Sequence, residues 1–243
     1  MDLRGIGAVV TGASRGLGAA LARELAREGA RVVLVARQKE LLDAVVSEIR
    51  AHGGEAHALV DDVGDKRAAH RIAGAAAALV GQIELLVNNA STLGVASLRP
   101  LLDTDCESLE EAFRVNVLGP FRLTKIVAGA MAAHGRGVVV DITSDASKEA
   151  YPTWGAYGLS KAALDHLGRI WGGELEGRGV RIVTVDPGEM DTAMHAEAMP
   201  DADRSTLLAP DVVAARIVRL VRDAKGAPNG ARVEASQWKG ATS

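Results

Sequence analysis

Short apolar runs alternate with longer stretches of helical periodicity along the whole chain. The runs are nearly continuous in Val, Ile and Leu, a pattern typical of strands that helices cover on both faces. Six or seven such βα units predict an open, doubly wound parallel sheet, in one domain over residues 1–243. The predicted strands are Ile6–Thr11, Arg31–Ala36, Ala56–Val60, Ile83–Asn88, Gly137–Thr143, Val180–Asp186 and a weaker one at Arg232–Ala235.

The stretches between the strands carry helix signals. Leu17–Glu28 and Gln38–His52 show helical periodicity. The Ala-rich segment 73–79 lies between Asp65 and Gly81, which are a suitable N-cap and a suitable C-terminal glycine. We therefore interpret this segment as a helix and not as low-complexity sequence.

Composition narrows the class of protein. The chain has 28 Lys and Arg against 31 Asp and Glu, so it has no basic surplus for binding nucleic acid or an anionic membrane. One cysteine, Cys106, excludes an intrachain disulfide, and His52 and His57 lack a third ligand, so we expect no metal site. The first apolar run ends at Val10, too early for a secretion signal. We expect a cytoplasmic protein.

A glycine-rich segment, TGASRGLG at residues 11–18, follows the first predicted strand directly. Glycines at 12, 16 and 18 permit a tight turn, close approach of the backbone to a pyrophosphate, and close packing of a helix on the strand. The N-terminus of the following helix offers unpaired N–H groups to an anion. The segment therefore predicts a dinucleotide site, the alternative being a turn without a ligand.

The end of the second strand indicates which dinucleotide binds. NAD-binding sheets usually place an acidic residue there, where it accepts from the ribose 2′-hydroxyl, but this strand ends Val35-Ala36-Arg37. Arg37 and Arg15 would converge on the adenosine ribose, and guanidinium groups suit a 2′-phosphate. We predict NADP(H) as the cofactor. The alternative for each arginine is a solvated surface position.

Candidate chemistry follows the later strands. Tyr157 and Lys161 are four residues apart, a spacing that places a phenol and an ammonium on one helix face. A free phenol has a pKa of about 10, and a nearby cation helps it to exchange protons near neutrality. Ser144 lies at the end of the fifth strand, 13 residues before Tyr157.

In their order and spacing, these motifs resemble the short-chain dehydrogenase/reductase family, over nearly the whole chain. The resemblance implies a Rossmann-type subunit, a nicotinamide cofactor, and hydride transfer between that cofactor and a carbonyl or alcohol. The residues that carry it are the glycine motif, Asp62-Val63, Asn88-Asn89-Ala90, Asn116, Ser144, Tyr157, Lys161 and the run 187–192.

The same resemblance implies roles for individual residues. Tyr157 would be the acid/base, Lys161 would hold the nicotinamide ribose and lower the tyrosine pKa, and Ser144 would orient the substrate oxygen. Asn116 completes the implied catalytic set. The implied cofactor-binding residues are Gly12, Ser14, Arg15, Gly16, Leu17, Gly18, Arg37, Asp62, Val63, Asn89, Tyr157, Lys161, Pro187, Gly188, Met190 and Thr192.

Two local features extend this picture. Ser91 stands where the family usually has glycine after Asn-Asn-Ala, and it adds a side chain near the nicotinamide end. A long helix is predicted over Ser108–Met131, but Pro120 within it cannot donate to the carbonyl oxygen of Asn116. That oxygen would hold a water that links Lys161 to solvent and replenishes the proton of Tyr157. Alternatively, Pro120 only bends a packed helix.

The substrate side is less defined. Residues 189–209 are predicted to form a mobile lid that carries Met190, Met194, His195 and Met199, side chains that suit an adaptable apolar pocket or ordinary helix packing. The expected substrate residues are Ser91, Tyr151, Trp154 and Met194. A small or medium ketone or aldehyde is the leading substrate class. The alternatives are a 3-oxoacyl thioester reductase and a non-catalytic NADP(H)-sensing regulator.

The helix that bears Tyr157 is apolar over much of its surface, which predicts burial on two sides. One stripe comprises Leu159, Ala163, Leu167 and Ile170, and a second comprises Ala162, Leu164, Trp171 and Leu175. We expect a second subunit to cover one side, with Gly168, Gly172 and Gly173 allowing close approach. This predicts a homodimer or homotetramer.

Overall fold

The computed structural model of the chain describes residues 1–94, 98–223 and 226–238. Its strands are β1 (Gly7–Thr11), β2 (Arg31–Ala36), β3 (Glu55–Val60), β4 (Ile83–Asn88), β5 (Gly137–Ile142), β6 (Val180–Asp186) and β7 (Ala231–Glu234). They form one seven-stranded sheet in the order β3-β2-β1-β4-β5-β6-β7, with every pairing parallel. The predicted doubly wound sheet in a single domain is confirmed.

Helices connect the strands and lie on both faces of the sheet. They are α1 (Gly16–Arg27), α2 (Lys39–Ala51), α3 (Ala68–Val80), α4 (Cys106–Phe113), α5 (Gly119–His134), α6 (Gly155–Glu174), α7 (Ala193–Ala198) and α8 (Pro210–Arg222). One apolar core forms beneath α1, α2 and α8, and the other beneath α3 and α5. All five residues of β1 are buried, as the continuous apolar run predicts for a strand covered on both faces.

The strand order reverses beside β1. From β1 the chain moves outward to β2 and β3, then returns to place β4 on the other side of β1. The loops after β1 and β4 therefore diverge and leave a crevice at the carboxyl ends of the strands. Ligands of open parallel sheets bind at such a crevice, so the topology locates the candidate site.

The structure corrects the predicted start of α3. Asp65 is not its N-cap, because the helix begins at Ala68 and Arg67 precedes it directly. Instead, the Asp65 side chain accepts from the Arg67 backbone N–H at 2.9 Å and binds Arg71 at 2.6 Å. Asp65 thus forms the turn that leads into the helix. Gly81 does end α3, with a φ of 71°.

The predicted long helix over Ser108–Met131 is interrupted. A π-helical turn, Arg114–Leu118, separates α4 from α5, and the Gly119 N–H donates to the Arg114 carbonyl five residues earlier. Pro120 lies in the first turn of α5, where proline is tolerated. The irregularity therefore precedes Pro120, and the water relay from Asn116 stays a prediction.

Two of the three α6 glycines expected to allow close approach of a second subunit face this chain instead, whereas the role of Gly173, which has open space around it, stays a prediction. A Cβ atom on Gly168 would lie 2.4 Å from Thr184 Oγ1, and one on Gly172 would lie 2.4 Å from Gly230 Cα. These two glycines let α6 pack closely on its own sheet and on the turn before β7. Leu159 and Ile170 are exposed on the outer side of α6, and their burial by a second subunit stays a prediction.

None of the helices within the described ranges is long and apolar enough to cross a bilayer. The cytoplasmic location stays a prediction.

Candidate active site

A cavity of about 570 Å³ opens at the carboxyl ends of the strands, a size suited to a small-molecule or cofactor site. It extends from the glycine-rich turn after β1 to the side chains of α6. The predicted residues that line it are Gly12, Ser14, Arg15, Gly16, Leu17, Gly18, Arg37, Asp62, Val63, Asn89, Ser91, Tyr157, Lys161, Pro187, Met190, Thr192 and Met194. One cavity therefore joins the predicted phosphate-binding turn to the Tyr157–Lys161 pair.

The glycine-rich turn packs too closely for side chains at two positions. A Cβ atom on Gly12, whose φ is +65°, would lie 2.8 Å from Ala90 Cα, and one on Gly18 would lie 2.2 Å from the Gly12 carbonyl oxygen. Asn89 holds the turn from β4, since its Nδ2 donates to Thr11 O at 2.9 Å and to Gly12 O at 3.2 Å. The backbone is thus fixed at the start of α1, as a pyrophosphate-binding turn requires.

Two unpaired cations lie at one end of the cavity, which we call the adenosine end because the adenosine is predicted to bind there. Arg15 and Arg37 are exposed, and neither has an ion-pair or side-chain hydrogen-bond partner among the described residues. Arg23 lines the same cavity, but it binds Glu48 at 2.9 Å and Asp211 at 3.2 Å. Only the first two guanidinium groups are therefore available to an anion. Asp62, also at this end, accepts from the Gly64 N–H and binds Arg114 at 3.3 Å.

Tyr157 and Lys161 are buried side by side on α6. The Lys161 ammonium lies 5.5 Å from the centre of the Tyr157 ring and donates to the Ile142 carbonyl at 2.8 Å. Trp154 covers the ring edge-on, with 5.7 Å between the ring centres. The two side chains meet as their four-residue spacing predicts.

The electrostatics of the pair are dominated by burial. Burial raises the pKa of Tyr157 to about 12, against the lowering effect of hydrogen bonds with Ser144 and Ser91. Burial also lowers the pKa of Lys161 to about 8, and the carboxylates of Asp165, Asp141 and Asp186 oppose this shift. At neutral pH the site therefore contains a phenol beside a largely protonated amine. The expected lowering of the Tyr157 pKa by Lys161 does not dominate in this state.

Ser144 belongs to a small hydrogen-bonded group with two neighbours. Its hydroxyl donates to Asp145 Oδ1 at 2.8 Å, and the Tyr151 hydroxyl donates to Asp145 Oδ2 at 2.8 Å. Burial acts to raise the pKa of Asp145, but hydrogen bonds from Tyr151, Ser144 and the Ala146 N–H hold it below its usual value. An ionised carboxylate therefore lies beside the hydroxyl expected to orient the substrate.

Asn116 is fully buried in the π-helical turn, and both the nitrogen and the oxygen of its side-chain amide have hydrogen-bond partners. Its Nδ2 donates to Thr92 O and to Ser160 Oγ, each at 2.9 Å. Its Oδ1 accepts from the Thr92 N–H at 2.9 Å and from the Ser91 hydroxyl at 3.2 Å. Ser91 therefore contacts Asn116, and its hydroxyl also acts to lower the pKa of Tyr157.

Not every predicted site residue lines the cavity. Asn116, Ser144, Tyr151, Trp154 and Gly188 lie behind or beside the lining. Other lining residues were not predicted, and distant segments supply four of them: Glu111 and Val115, and Pro210 with Asp211. No local motif marks these four, because only the packing of α4, the π-helical turn and α8 brings them to the cavity.

Residues 189–209, predicted to be a lid, are anchored at both ends. The Asp191 N–H donates to Leu208 O at 2.9 Å, and Arg204 forms an ion pair with Asp191. Met190 and Met194 face the cavity, whereas Met199 is exposed. Both ring nitrogens of His195 are buried and lack a hydrogen-bond partner among the described residues. Motion of this segment stays a prediction.

Within the part of the chain that the structure describes, no group of three or more His, Cys, Asp or Glu side chains is arranged to hold a metal ion.

Comparison with known proteins identifies the family. The family model for short chain dehydrogenases matches residues 7–203. The chain therefore belongs to the short-chain dehydrogenase/reductase family, and the resemblance predicted from its motifs is confirmed.

Three curated relatives show how far the similarity extends. D-threitol dehydrogenase of Mycolicibacterium smegmatis is 32% identical over 234 residues, which are 92% of this chain and 88% of that protein. D-erythrulose reductase of Gallus gallus is 36% identical over 209 residues, covering 86% and 80%. A short chain dehydrogenase of Pseudocercospora fijiensis is 36% identical over 197 residues, covering 80% of this chain, which spans 63% of that longer protein.

Solved structures agree in fold. A protein of Beutenbergia cavernae, described as a candidate NAD(P)-dependent gluconate 5-dehydrogenase, superimposes with a TM-score of 0.86 at 31% identity. The match covers 97% of each chain, and that crystal structure contains NADP at low occupancy. The family uses nicotinamide cofactors, so this chain is an oxidoreductase of that class.

Proposed function

We propose that this protein is an NADP(H)-dependent carbonyl reductase, with Tyr157 as the acid/base. One observation carries the proposal: a single cavity joins the glycine-rich turn to the buried Tyr157–Lys161 pair. The substrate would be a small or medium ketone or aldehyde, and the reverse reaction would oxidise the corresponding alcohol.

The described residues fit the cofactor. Side chains at Gly12 and Gly18 would collide with neighbouring backbone, which leaves the N-terminus of α1 open to a pyrophosphate. The unpaired guanidinium groups of Arg15 and Arg37 would hold a 2′-phosphate. Lys161 would hold the nicotinamide ribose, and the segment from Pro187 to Thr192 would contact the nicotinamide. When bound, the cofactor supplies the hydride for reduction or accepts it in oxidation.

The protein's own residues would bind the substrate carbonyl oxygen and donate the proton to it. Ser144 and Tyr157 would donate hydrogen bonds to the substrate carbonyl oxygen, each worth on the order of 3 kcal/mol when charge develops there. Ser144 must turn its hydroxyl away from Asp145 to do so. As the carbonyl carbon is reduced, the Tyr157 proton passes to the oxygen and leaves a phenolate. The adjacent Lys161 ammonium stabilises that phenolate in a site of low dielectric.

The surroundings of the substrate side favour a neutral, polar substrate. Asp145 lies beside Ser144, and the charges of Asp145, Glu149 and Glu189 all act to raise the pKa of Tyr151. These carboxylates would repel an acyl chain carried on an anionic coenzyme or carrier protein. Two relatives are named for a small polyol and a small ketose, D-threitol dehydrogenase and D-erythrulose reductase. We therefore place small hydroxylated ketones ahead of 3-oxoacyl thioesters.

The test is NADPH consumption by the purified protein with a panel of hydroxyketones, simple ketones, aldehydes and oxoacyl thioesters, with Tyr157→Phe measured beside it. We expect turnover with small ketones and a loss of roughly 10³-fold in Tyr157→Phe, since positioned acid/base groups contribute roughly 10²–10⁴-fold. The NADPH dissociation constant should stay within about threefold, because the ring remains.

The variant Tyr151→Phe is the matched control, because it removes the other tyrosine hydroxyl of the chain without removing the proposed proton donor. Its turnover should exceed that of Tyr157→Phe by more than tenfold. Tight NADPH binding without turnover on any substrate would contradict the reductase proposal and favour the sensing regulator.

A further inference from the structure

A buried cluster of charges lies directly behind the proposed catalytic residues, and the sequence motifs do not include its central member. Arg232 comes from β7, the last strand of the sheet, and its side chain is only 13% exposed. Its Nε donates to Asp165 Oδ2 at 3.1 Å, and its Nη2 donates to Asp186 Oδ2 at 2.7 Å and to the Ser144 carbonyl at 3.1 Å. One guanidinium group therefore connects three separate segments.

Each of these segments carries part of the proposed machinery. Asp165 lies on α6, one turn after Lys161 and two turns after Tyr157. Asp186 ends β6, and its Oδ1 accepts from the Gly188 N–H at 3.0 Å, in the turn that begins the proposed nicotinamide-contacting segment. Ser144 ends the β5 side of the site, where its carbonyl also accepts from the Ser147 N–H.

The turn after β5 is fixed to α6 as well. Ser147 Oγ donates to Asp165 Oδ2 at 2.5 Å, the same oxygen that accepts from Arg232. Arg232 and Ser147 therefore hold Asp165 from two sides, and α6 cannot shift along the sheet without breaking both bonds. A planar guanidinium can bind acceptors in three directions, which a lysine ammonium on a flexible stem does not reproduce.

The burial of this group needs a reason. Taking a guanidinium and two carboxylates out of water is costly, and apolar residues of similar volume often serve a core as well. Asp165 and Asp186 are 9% and 8% exposed in their side chains, so all three charges are shielded from solvent. An ion cluster at this place is thus poorly explained by stability alone and well explained by the alignment of the three segments.

We propose that Arg232 is a positioning residue of the active site. By binding Asp165, Asp186 and the Ser144 carbonyl together, it holds α6, the end of β6 and the turn after β5 in the alignment that hydride and proton transfer require. The expected effect of Arg232 on turnover rests on the proposed reductase function. Its expected stabilisation of the turns after β5 and β6 does not.

The charge of Arg232 also offsets the carboxylate charges that act on the pKa values of Tyr157 and Lys161. The charge of Asp186 already acts to raise the pKa of Tyr157, and those of Asp165 and Asp186 act to raise the pKa of Lys161. Without Arg232 these carboxylates lose their compensation, so both pKa values should rise. The charged and titratable groups around the cluster are Asp141 on β5, Asp145 in the following turn, Tyr157, Lys161 and Asp165 on α6, Asp186 on β6, and Glu234 on β7.

The test compares Arg232→Met and Arg232→Lys with the wild type. In Arg232→Met we expect kcat to fall by about tenfold or more, because small misplacements of reacting groups cost up to about 10²-fold. KM for the ketone should change by less than about threefold, since Arg232 does not line the cavity. The alkaline limit of kcat should move to higher pH. Arg232→Lys restores the charge, so it should recover the pH profile but only part of kcat.

Arg136→Met is the matched control, since Arg136 also binds a nearly buried strand carboxylate, Glu84, at 2.8 Å. That pair lies at the opposite ends of the strands, and its loss should change kcat by less than about twofold. Hydrogen–deuterium exchange gives a readout that does not need turnover. Arg232→Met should accelerate exchange in residues 144–148 and 186–190, and Arg136→Met should not.

The outcomes separate the two proposals. If the wild type reduces no carbonyl but exchange rises at both turns in Arg232→Met, the reductase function fails and the positioning inference stands. A folded Arg232→Met with wild-type kcat, pH profile and exchange would overturn the inference, and so would equal losses in the two methionine variants. If Arg232→Met does not fold, full kcat in Arg232→Lys would overturn it and a partial loss with a wild-type pH profile would support it.

Discussion

The two ends of the cavity differ in whether their positive charges are paired within the protein. At the adenosine end, Arg15 and Arg37 are exposed and have no partner within the described residues, so their charge is left for a ligand. At the catalytic end, Lys161 is buried and Arg232 largely so, and the carboxylates around them offset only part of the cost of removing these charges from water. Changes at the first end should therefore alter which cofactor binds, whereas changes at the second should alter stability and pH dependence along with turnover.

The sharpest test of this contrast is Lys161→Met. We expect kcat to fall by about 10²-fold or more, since the phenolate of Tyr157 loses its adjacent cation. Stability at pH 7 should rise by about 1–2 kcal/mol. Burial lowers the pKa of Lys161 to about 8, so the folded state disfavours the charged form by about 3 kcal/mol, and the lost hydrogen bond to the Ile142 carbonyl offsets part of the gain. Turnover assays and denaturant unfolding of the same preparation measure both effects.

The pH dependence of this gain has a definite sign. The unfolded chain keeps Lys161 protonated up to a pKa of about 10.5, while the folded chain releases the proton near pH 8. The cost of the charge is therefore fully present below pH 8 and disappears as the pH rises toward 10.5. The stability gain of Lys161→Met should shrink over that range. Lys125→Met, at an exposed position of α5, should show neither effect; a less stable Lys161→Met would contradict the prediction.

Arg37→Asp tests the other end of the cavity. Replacing an unpaired guanidinium by a carboxylate removes a partner of the 2′-phosphate and adds repulsion. The ratio of kcat/KM for NADPH over NADH should fall by about 10–100-fold, since hydrogen bonds to charged groups contribute roughly 1.5–3 kcal/mol. Thermal stability should change little, because Arg37 is exposed.

Arg178→Asp makes the same change of charge at an exposed position before β6, at the opposite end of the sheet. Its cofactor preference should match that of the wild type. Equal shifts in both variants would mean that overall charge controls preference, and an unchanged ratio in Arg37→Asp would refute the assignment of Arg37.

The two ends also differ in how much the sequence reveals. The fold and the glycine-rich turn were predictable, because continuous apolar runs and closely spaced glycines are local patterns. The predicted bounds of β2, β4 and β6 agree with the structure. Asp65 was misplaced because a turn before a helix and the helix cap itself favour the same residue types.

The catalytic end depends on contacts between distant residues. Arg232 lies 67 residues after Asp165 and 46 after Asp186, and no spacing rule connects such partners. Gly168 and Gly172 also depend on distant contacts. The apolar helix that carries them suggested a subunit interface, but the structure shows that they let α6 pack closely on β6 and on the turn before β7. Local patterns identify the residues that do chemistry, whereas the residues that align them become visible only in three dimensions.

The smallest effect expected concerns Ser91, which lines the cavity in the loop after β4. Its hydroxyl donates to Asn116 Oδ1 at 3.2 Å and also acts to lower the pKa of Tyr157, toward whose phenolate it would turn. In Ser91→Ala we expect kcat to fall by about two- to fivefold, as for one hydrogen bond, and the alkaline limit of kcat to move to higher pH.

Comparison of Ser91→Ala with Ser91→Gly separates the hydroxyl from the bulk of the side chain. If the hydroxyl stabilises the phenolate, both variants should show the same displaced pH profile, because both lack the donor. If the side chain only narrows the entrance for substrate, Ser91→Ala should keep the wild-type profile, and Ser91→Gly should change KM for bulkier ketones. A displaced profile in both variants would show that the loop after β4 shares in the electrostatics of the catalytic end, whereas an undisplaced one would confine them to α6 and the strand ends beside it.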